Sequence, residues 1–456
     1  MKTKSLKTAV TTLGVVGVTV MLVVASCTKT NQTLDLPKTS LPPEVTNQAN
    51  LICAKIDPSA APTIDGQAES VWDNATKLNT TTQVPDAGNG MFYGYIGTQY
   101  PVTLRSMYDG TSIYFLAEYA DQNKSVQVSP WYFDSKTKRW AQEPSAKTFD
   151  VNGNLTREGW GEDKLAFLWN IDNSVTKFAT QTCYASCHMF QPYLDPTTTP
   201  ATMKANQSAN HYTNGSNEKI DMWWLKIGRD PLFNQFSDEY QDWAGGPSIT
   251  SLVGGSGNGR HQDDQVVTGS STSYPYAPAY SSNVSTTGTS NNTQNFTLTV
   301  SGKTVVVSAP KYIVPNKTDY YYIAQADITA GTAKLITKLD TMGVLTLADN
   351  TTVDPNVGTD YQRLDATPTG LDGAKIIPSY ISVGALTAGR ADISCQVNYT
   401  GSGWTIEWKR LLKTPDTKKQ DIDFTSLDDQ PFGMAIFNKS NYQHGIKPNL
   451  LLKFQK

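Results

Sequence analysis

The sequence predicts a mainly β protein, a β-sandwich with a long inserted region, and three observations support this. Short runs of alternating apolar and polar residues recur along the chain, for example at residues 102–107 and 403–410. Turn-forming pairs such as Asp109-Gly110 separate these runs. Few windows have the i, i+3, i+4 spacing of a long amphipathic helix. Many short strands joined by turns are typical of sandwiches and barrels.

The first 27 residues are interpreted as a lipoprotein signal peptide. Three lysines precede an uncharged apolar run at residues 13–25, which is short for a membrane span. Small residues lead directly to Cys27, as in a lipobox, so Cys27 is the predicted acylated N-terminus; an ordinary secretory cleavage site is the alternative. Residues 28–50 are rich in Thr, Asn, Gln and Pro and are predicted to form a flexible tether. We therefore expect an exported protein, anchored through lipid to a membrane that faces the periplasm or the cell surface.

Residues 51–456 form the predicted sandwich domain, and residues 245–372 within it have a different composition. A glycine-rich run and a run of Ser, Thr, Asn and Tyr come first. Residues 296–308 and 319–338 then look like β-hairpins. We interpret residues 245–372 as an insertion that covers one face of the sandwich; a small second domain is the alternative. The formal net charge is −3, so the chain lacks the net positive charge that would favour binding to nucleic acid.

The sequence CYASCH at residues 183–188 is the most informative motif. Two thiols at Cys183 and Cys187 can bond to the vinyl groups of a haem, and the adjacent His188 imidazole can then bind the iron. The usual covalent haem signature has two residues between the cysteines, and here there are three. The alternative is a surface loop with a disulfide or two free thiols beside an ordinary histidine.

Two further cysteines, Cys53 and Cys395, lie in strand-like runs. An exported protein is in a compartment where disulfides persist, so a bridge between them is one interpretation. Two buried free thiols are the other.

No nucleophile elbow, zinc-protease motif or phosphate loop is present. Together with the haem motif, this favours an electron-transfer protein, which could be the haem subunit of an oxidoreductase complex, over an enzyme in its own right. The acidic pairs Glu162-Asp163 and Asp263-Asp264 could bind calcium or act on sugars, but their loop contexts favour solvated side chains.

Several separated segments together resemble the haem-binding domain of the ethylbenzene dehydrogenase γ subunit and its relatives, the haem subunits of some dimethyl sulfoxide reductase-type molybdenum enzymes and exported c-type cytochromes. The resemblance covers about residues 55–445 apart from the insertion. The matching segments are Ile64-Asp65-Gly66 with Trp72, residues 109–115, 162–167, 221–226, 389–393, 403–411 and 431–437.

This resemblance implies a β-sandwich that binds one haem c, with His188 as the first axial ligand. Family members with b-type haem bind it between a methionine and a lysine that follows an aspartate and two tryptophans, which implies Lys226 as the second ligand. This sequence departs from the pattern, because Leu225 separates the tryptophans from the lysine. Met222 lies on the same side of a strand as Lys226 and is the thioether alternative. His211 is the best alternative among the other histidines.

Trp223 and Trp224 are predicted to line an apolar pocket around the haem, where they would exclude water. The resulting hypothesis is a lipid-anchored monohaem cytochrome that passes single electrons to a redox partner, such as a molybdenum oxidoreductase or another cytochrome. The alternative is a carbohydrate-binding sandwich lipoprotein without haem, whose tyrosines and tryptophans form a stacking platform. A regulatory haem-carrying protein is a third interpretation.

Overall fold

The computed structural model describes residues 48–86, 92–185, 193–195, 202–204, 211, 213, 215–243, 259–264, 266–268, 271–273, 279–281, 293–317, 320–362 and 375–456. The predicted signal peptide with Cys27, and most of the predicted tether, lie outside these residues. The described chain belongs to one compact unit that begins at Val45 and ends at Lys456.

A twelve-stranded sheet forms the main body of the described chain. In chain order, its strands are β1 (Ala49–Lys55), β2 (Leu78–Gln83), β3 (Gln99–Tyr108), β4 (Ser112–Ala120), β5 (Lys164–Asn170), β6 (Ile220–Lys226), β7 (Gln235–Gln241), β8 (Arg260–Gln262), β9 (Ile393–Tyr399), β10 (Gly403–Leu411), β11 (Gln430–Phe437) and β12 (Gly445–Phe454).

The strand order is β1-β12-β2-β3-β4-β10-β9-β7-β6-β5-β11, with β8 paired to β7. The sheet closes on itself, because β11 pairs with both β5 and β12 and because β1 pairs with both β12 and β3. The predicted mainly β, sandwich-like fold is therefore confirmed. The strands predicted near residues 102–107 and 403–410 are β3 and β10.

Alternating side chains from these strands fill the interior of the closed sheet. Trp169, Trp223 and Trp408 are completely buried there. Phe115 stacks on Trp408 with ring centroids 5.2 Å apart, and Trp169 stacks on Phe432 at 4.7 Å. Burying such large rings contributes much of the hydrophobic stabilisation of the core.

The Ile64-Asp65-Gly66 turn and Trp72 are joined by one buried carboxylate on β10. Trp72 Nε1 donates to Glu407 Oε1 at 2.7 Å, and the backbone N–H of Gly66 donates to Glu407 Oε2 at 2.8 Å. Gly66 has a φ of +81°, which disfavours any residue with a Cβ. Trp72 thus belongs to a set of hydrogen bonds that joins the N-terminal segment to the main sheet.

The two α-helices in the described chain are short: α1 is Phe178–Gln181 and α2 is Gln325–Thr329. No described helix has the length and apolar character needed to cross a membrane. Single 3₁₀ turns are formed by Pro58–Ala60, Ser70–Asn74, Ile171–Asn173, Thr182–Ala185, Asp230–Phe233 and Ala388–Ala391.

Smaller sheets surround the main one. Their strands are Trp131–Asp134, Arg139–Gln142, Thr148–Phe149, Leu155–Arg157, Tyr193–Asp195, Thr202–Lys204, Val266–Thr268, Ser271–Ser273, Tyr280–Ser281, Thr293–Val300, Lys303–Pro310, Tyr312–Ile313, Ile323–Ala324, Lys334–Leu339, Leu345–Leu347, Thr352–Val353 and Ile381–Ser382.

Part of the region interpreted as an insertion builds a second core together with the hairpin at residues 131–142. Phe133 and Trp140 from that hairpin pack with Leu298, Ile336 and Leu345. Of the two predicted hairpins, the first is confirmed, because Thr293–Val300 pairs with Lys303–Pro310. The second is wrong: α2 lies within it, and Lys334–Leu339 pairs instead with Leu345–Leu347 and Tyr312–Ile313.

Candidate functional site

The cysteine motif begins in a tight turn after helix α1. Cys183 lies in the 3₁₀ turn Thr182–Ala185, while Cys187 and His188 lie outside the described residues. The turn starts from a strained position, because Thr182 has a φ of +46°. The structure therefore gives the backbone position from which the motif starts.

Two neighbouring strands hold this turn in place. Thr182 is completely buried, and its Oγ1 accepts a hydrogen bond from the backbone N–H of Asn449 at 2.9 Å. On β11, a Cβ added to Gly433 would lie 2.4 Å from Thr182 Cγ2, so only glycine leaves room for the turn. The start of the motif is thus packed directly against β11 and β12.

The turn contacts the outer face of the main sheet, the face that also carries the predicted metal ligands. Ala185 packs in one apolar cluster with Ile220 on β6 and with Leu168 on β5. Because side chains alternate along a strand, Ile220, Met222, Trp224 and Lys226 project to this same outer face. The cysteine turn and both candidate second ligands, Met222 and Lys226, therefore share one surface.

Small and apolar side chains form part of this outer face. Leu168 and Ala166 on β5 are half-buried, as are Trp224 on β6 and Ala435 on β11. In register, Ala166 lies opposite both Trp224 and Ala435. Two alanines beside a tryptophan leave room above the sheet for a flat apolar group.

Met222 lies near the end of β6 that contacts the cysteine turn. Its side chain is 6% exposed, and its sulfur accepts a hydrogen bond from Gln241 Nε2 at 3.4 Å. Met222 is two residues from Ile220, about 7 Å at the usual strand rise, whereas Lys226 is about 20 Å from Ile220. By position along the strand, Met222 is the candidate second ligand that lies nearer to the turn.

Lys226 is engaged in a buried ion pair. Its Nζ donates to Glu239 Oε1 at 3.0 Å and to Ser237 Oγ at 3.0 Å. Glu239 also pairs with Arg260 at 3.0 Å, and the two cations lower the pKa of this buried carboxyl despite its burial. To bind a metal, the lysine would have to lose its proton and leave Glu239.

Trp224 is surrounded by cations. Over its ring lie Arg260 at 4.0 Å, Lys226 at 4.7 Å and Lys164 at 5.4 Å. Such contacts are favourable because the ring face carries negative charge. Glu239 pairs with two of these three basic residues, Lys226 and Arg260, so basic side chains are concentrated at this end of the outer face.

Lys164, at the start of β5, has a strongly lowered pKa. Burial lowers the pKa of Lys164 to about 7, and nearby cations including Arg229 lower it further, while Glu162 opposes them. Its Nζ donates to the backbone carbonyl of Asn441 at 2.7 Å. Close by, His444 stacks on Phe437 at 4.5 Å, and burial lowers the pKa of His444 to about 4.

Trp223 does not line the surface that Met222 and Trp224 share, contrary to the predicted pocket. It is 0% exposed and packs inside the closed sheet, 4.9 Å from Trp169 between ring centroids. The reason is the alternation of side chains along β6, which sends neighbouring residues to opposite faces.

The structure places two of the other histidines, His261 and the alternative ligand His211, near the start of β8. His261 is buried, and its Nε2 lies 3.1 Å from Asp242 Oδ1. The backbone carbonyl of His211 accepts a hydrogen bond from Gly259 N–H at 2.5 Å, which positions this residue beside the start of β8.

Cys53 and Cys395 are free and buried, so the structure has the free-thiol alternative and not the bridge. Ser106 Oγ donates to Cys53 Sγ at 3.3 Å, and Cys395 Sγ donates to the backbone carbonyl of Gln396 at 3.8 Å. Burial raises the pKa of Cys53 to about 12 and raises that of Cys395 well above its usual value.

The acidic pairs at residues 162–163 and 263–264 are not solvated, contrary to prediction, apart from Asp264. Glu162, Asp163 and Asp263 are at most 1% exposed. Asp163 accepts hydrogen bonds from Trp404 Nε1 at 3.1 Å and from the backbone of Ser125 at 3.0 Å. Glu162 pairs with Arg229. These carboxylates are polar anchors within the fold.

The sequence interpretation missed Lys164, Glu239 and Arg260 as parts of the site. Lys164 could have been identified from the alternation of side chains along β5, because it falls on the same face as Ala166 and Leu168. Glu239 and Arg260 had no such signal, since they meet Trp224 and Lys226 only through the pairing of β6, β7 and β8.

Comparison with curated proteins gives no match. Among solved structures, a family 9 carbohydrate binding module from Caldicellulosiruptor kristjanssonii in complex with glucose matches with 8% identity and a TM-score of 0.24. That match covers 89% of this chain and 97% of the other, and a likeness of that size supports no inference about function.

The family model described as ethylbenzene dehydrogenase matches residues 69–448. This range includes the cysteine turn, strand β6 and the segments on which the resemblance was based, apart from Ile64-Asp65-Gly66. The chain belongs to the ethylbenzene dehydrogenase family.

Proposed function

We propose that this protein is a monohaem c-type cytochrome that transfers single electrons. Haem would be attached through Cys183 and Cys187, with His188 as one axial ligand. The observation that carries the proposal is the packing of the cysteine turn against the same sheet face as Met222, Trp224 and Lys226. The turn that begins the cysteine motif thus contacts a face that carries a thioether close by and, further along β6, an aromatic ring and an amine.

The residues of the outer face fit such a group in two respects. Ala166 and Ala435 have small side chains that do not project far from the sheet beside Trp224, which suits a flat apolar ring. The basic side chains around Trp224 suit the carboxylate groups that a haem carries. Lys164 and Arg260 would hold these carboxylates.

Met222 is the second axial ligand that we favour. Lys226 is already paired with Glu239 at 3.0 Å, and removing the lysine would leave this carboxylate with Arg260 alone. A thioether needs no such rearrangement, because it carries no charge or proton. Lys226, which the family resemblance implies, remains the alternative ligand. Replacing Met222 or Lys226 in turn and recording the haem spectrum of each variant distinguishes the two ligands.

A bound haem would supply the iron that accepts and releases one electron. The chain would contribute axial ligands, exclude water with Trp224 and its apolar neighbours, and set the local charge through its lysines and arginines. No substrate would be turned over by this chain itself.

The proposed setting follows from the N-terminal sequence. Acylation at Cys27 would anchor the protein to a membrane that faces the periplasm or the cell surface. Electrons would pass to or from a redox partner protein, such as a molybdenum oxidoreductase or another cytochrome. This partner rests on the family analogy alone.

The deciding experiment is a pyridine haemochrome spectrum, with intact mass, on full-length protein matured in a host that has c-type haem machinery. A c-type α-band and the added mass of one haem per chain are expected. Protein without haem, with a mass two hydrogens below that of the reduced thiols, would overturn the proposal.

The carbohydrate-binding alternative finds no fully exposed tryptophan in the described chain. All ten tryptophans fall within the described residues, and each is buried or half-buried. If the haem experiment fails, a glycan array on the same protein tests this alternative directly.

A further inference from the structure

A second group of buried polar side chains lies inside the closed sheet, on the opposite face of β6 from Met222. Asp221 and Asp238 point inward from β6 and β7, and Asp421 comes from the segment between β10 and β11. One carboxylate oxygen from each of the three lies within 4.8 Å of the others. Their exposures are 0%, 0% and 8%.

Arg410 on β10 compensates only part of this negative charge. Its Nη1 donates to Asp221 Oδ2 at 2.7 Å, and its Nη2 donates to the carbonyl of Ile422 at 3.0 Å. Its Nη2 is also 3.9 Å from Asp421 Oδ1. Three carboxylates against one guanidinium leave two negative charges.

Several oxygens of the group have no hydrogen-bond partner. Asp221 uses Oδ2 for Arg410 and for the backbone N–H of Ile422, and its Oδ1 is unsatisfied. Asp421 Oδ2 accepts from Thr414 Oγ1, and its Oδ1 likewise has no hydrogen-bond partner. Both carboxylates thus have one oxygen in use and one without a donor.

Asp238 supplies a separate reason to expect a ligand. It has zero exposure, and neither of its carboxylate oxygens has a hydrogen-bond partner. Buried polar groups in folded proteins almost always have a partner, because an unpaired buried carboxylate is costly. Asp238 points toward Asp221 and Asp421, so a single cation could satisfy all three.

The electrostatics of the group agree with this geometry. Burial raises the pKa of Asp238 well above its usual value, and the charge of Asp221 raises it further. Burial also raises the pKa of Asp221 to about 7, with Arg410 opposing the shift. Asp263, which is 1% exposed, lies close enough to Asp421 for the two carboxyls to interact, and it adds a fourth carboxyl to the group.

We propose that Asp221, Asp238 and Asp421 bind one calcium ion, with Asp263 as a further ligand from the end of β8. Calcium takes six to eight oxygen ligands at about 2.3–2.6 Å, so two of its ligands lie at most about 5 Å apart. The 4.8 Å limit on the carboxylate oxygens meets this condition. Magnesium keeps several waters and few carboxylates, which suits this dry, carboxylate-rich group less well.

Such an ion would join the segment between β10 and β11 to the inward face of β6 and β7. Its role would be structural, since it lies across the sheet from the surface proposed to carry haem. The inference is independent of the proposed electron transfer, because none of its ligands belongs to the outer face.

The test uses the full chain, treated with a chelator and dialysed, and then titrated with CaCl₂ by calorimetry and followed by thermal unfolding. One calcium per chain and a rise in Tm of about 2–5 °C are expected at saturating calcium. Terbium should give tryptophan-sensitised luminescence that calcium removes, because Trp223 pairs in register with Asp238. The same concentration of MgCl₂ should raise the Tm less.

Asp238→Asn should lower calcium affinity at least tenfold, while its Tm without calcium equals or exceeds that of the wild type, since it removes an uncompensated buried carboxylate. Asp421→Asn is the second variant, in case Asp238→Asn does not fold. Asp172→Asn is the matched control, because Asp172 is exposed and pairs with Lys419 on the surface. A wild type with neither calorimetric binding nor a Tm shift overturns the proposal, and so do variants that bind calcium as the wild type does.

Discussion

Lys226 Nζ lies 3.0 Å from Glu239 Oε1, and the two side chains are only 9% and 2% exposed. This buried ion pair occupies the lysine that the family resemblance implies as a haem ligand. It also connects β6 to β7 next to Trp224, so its removal affects both the stability of the sheet and the charge of the outer face.

We predict that Lys226→Met destabilises the protein by about 3–5 kcal/mol, because it leaves Glu239 buried with fewer partners. Chemical unfolding in guanidinium measures this. The matched control is Lys375→Met, which breaks the more exposed pair with Asp360 and should cost about 0–1 kcal/mol. Equal losses of unfolding free energy in both variants would show that burial does not increase the contribution of the Lys226–Glu239 pair to stability.

The pH dependence of stability should reveal Lys164. In the folded protein its pKa is lowered to about 7, whereas the unfolded chain keeps the proton up to about 10.5. Between these values the unfolded state binds more protons at Lys164, so the contribution of Lys164 should make stability rise with pH, by at most about 1.4 kcal/mol per pH unit.

Unfolding of Lys164→Met from pH 7 to pH 10 should lack this rise. The control Lys413→Met should keep it. Lys413 is exposed and its pKa is raised by Asp423, so its contribution changes only above pH 10. A wild-type stability that does not rise relative to that of Lys164→Met over this range would contradict the prediction, since the buried thiols Cys53 and Cys395 titrate alike in both proteins.

Covalent haem should depend on one pair of cysteines and not on the other. Cys183→Ala with Cys187→Ala should abolish haem staining after denaturing electrophoresis without preventing export. Cys53→Ala with Cys395→Ala is the matched control and should retain the stain, because these thiols are buried inside the fold. Staining that persists in the first variant would show that the motif does not attach haem.

Gly433→Ala should disturb the cysteine turn. The new Cβ would lie 2.4 Å from Thr182 Cγ2, so the turn must shift, at a cost of about 1–3 kcal/mol and with less haem attached. Thermal unfolding and the haem-to-protein absorbance ratio measure the two effects.

Thr182→Ser removes Cγ2 but keeps the hydroxyl that accepts from Asn449, and it should rescue Gly433→Ala. Gly384→Ala is the control, because nothing lies within 4 Å of its added Cβ. A double variant as impaired as Gly433→Ala would rule out this contact as the cause.

Cys53 and Cys395 should be alkylated only after unfolding. Burial raises the pKa of Cys53 to about 12, so native protein at pH 8 holds a protonated, inaccessible thiol. Iodoacetamide labelling without a reductant, followed by peptide mass spectrometry, should modify both cysteines in denaturant and neither before. A linked peptide that contains both would instead demonstrate the disulfide.

The strands were predictable because their signal is local. Residues 403–410 alternate in polarity, and β10 follows that alternation with Trp404, Ile406 and Trp408 inside. The same alternation placed Met222 and Lys226 on one face. It did not reveal that Trp223 points inward, because both faces of β6 carry large apolar side chains.

The second core and the charge clusters were not predictable in this way. Phe133 and Leu345 are far apart in the chain, and no pattern in either segment indicates that they pack together. The acidic pair Asp263-Asp264 resembled a solvated loop, because its polarity says nothing about the three other aspartates that surround Asp263.

By itself, the sequence determined the mainly β fold, the positions of its strands and the cysteine motif, since these depend on residue type and short-range spacing. Only the tertiary structure decided which face of each strand is buried and which charges meet. The closure of the sheet through β11 brings the cysteine turn to β6, and the pairing of β6 with β7 joins Lys226 to Glu239 and Asp221 to Asp238. These contacts depend on long-range strand pairing, whose energy comes from burial across the whole sheet and leaves no local trace in the sequence.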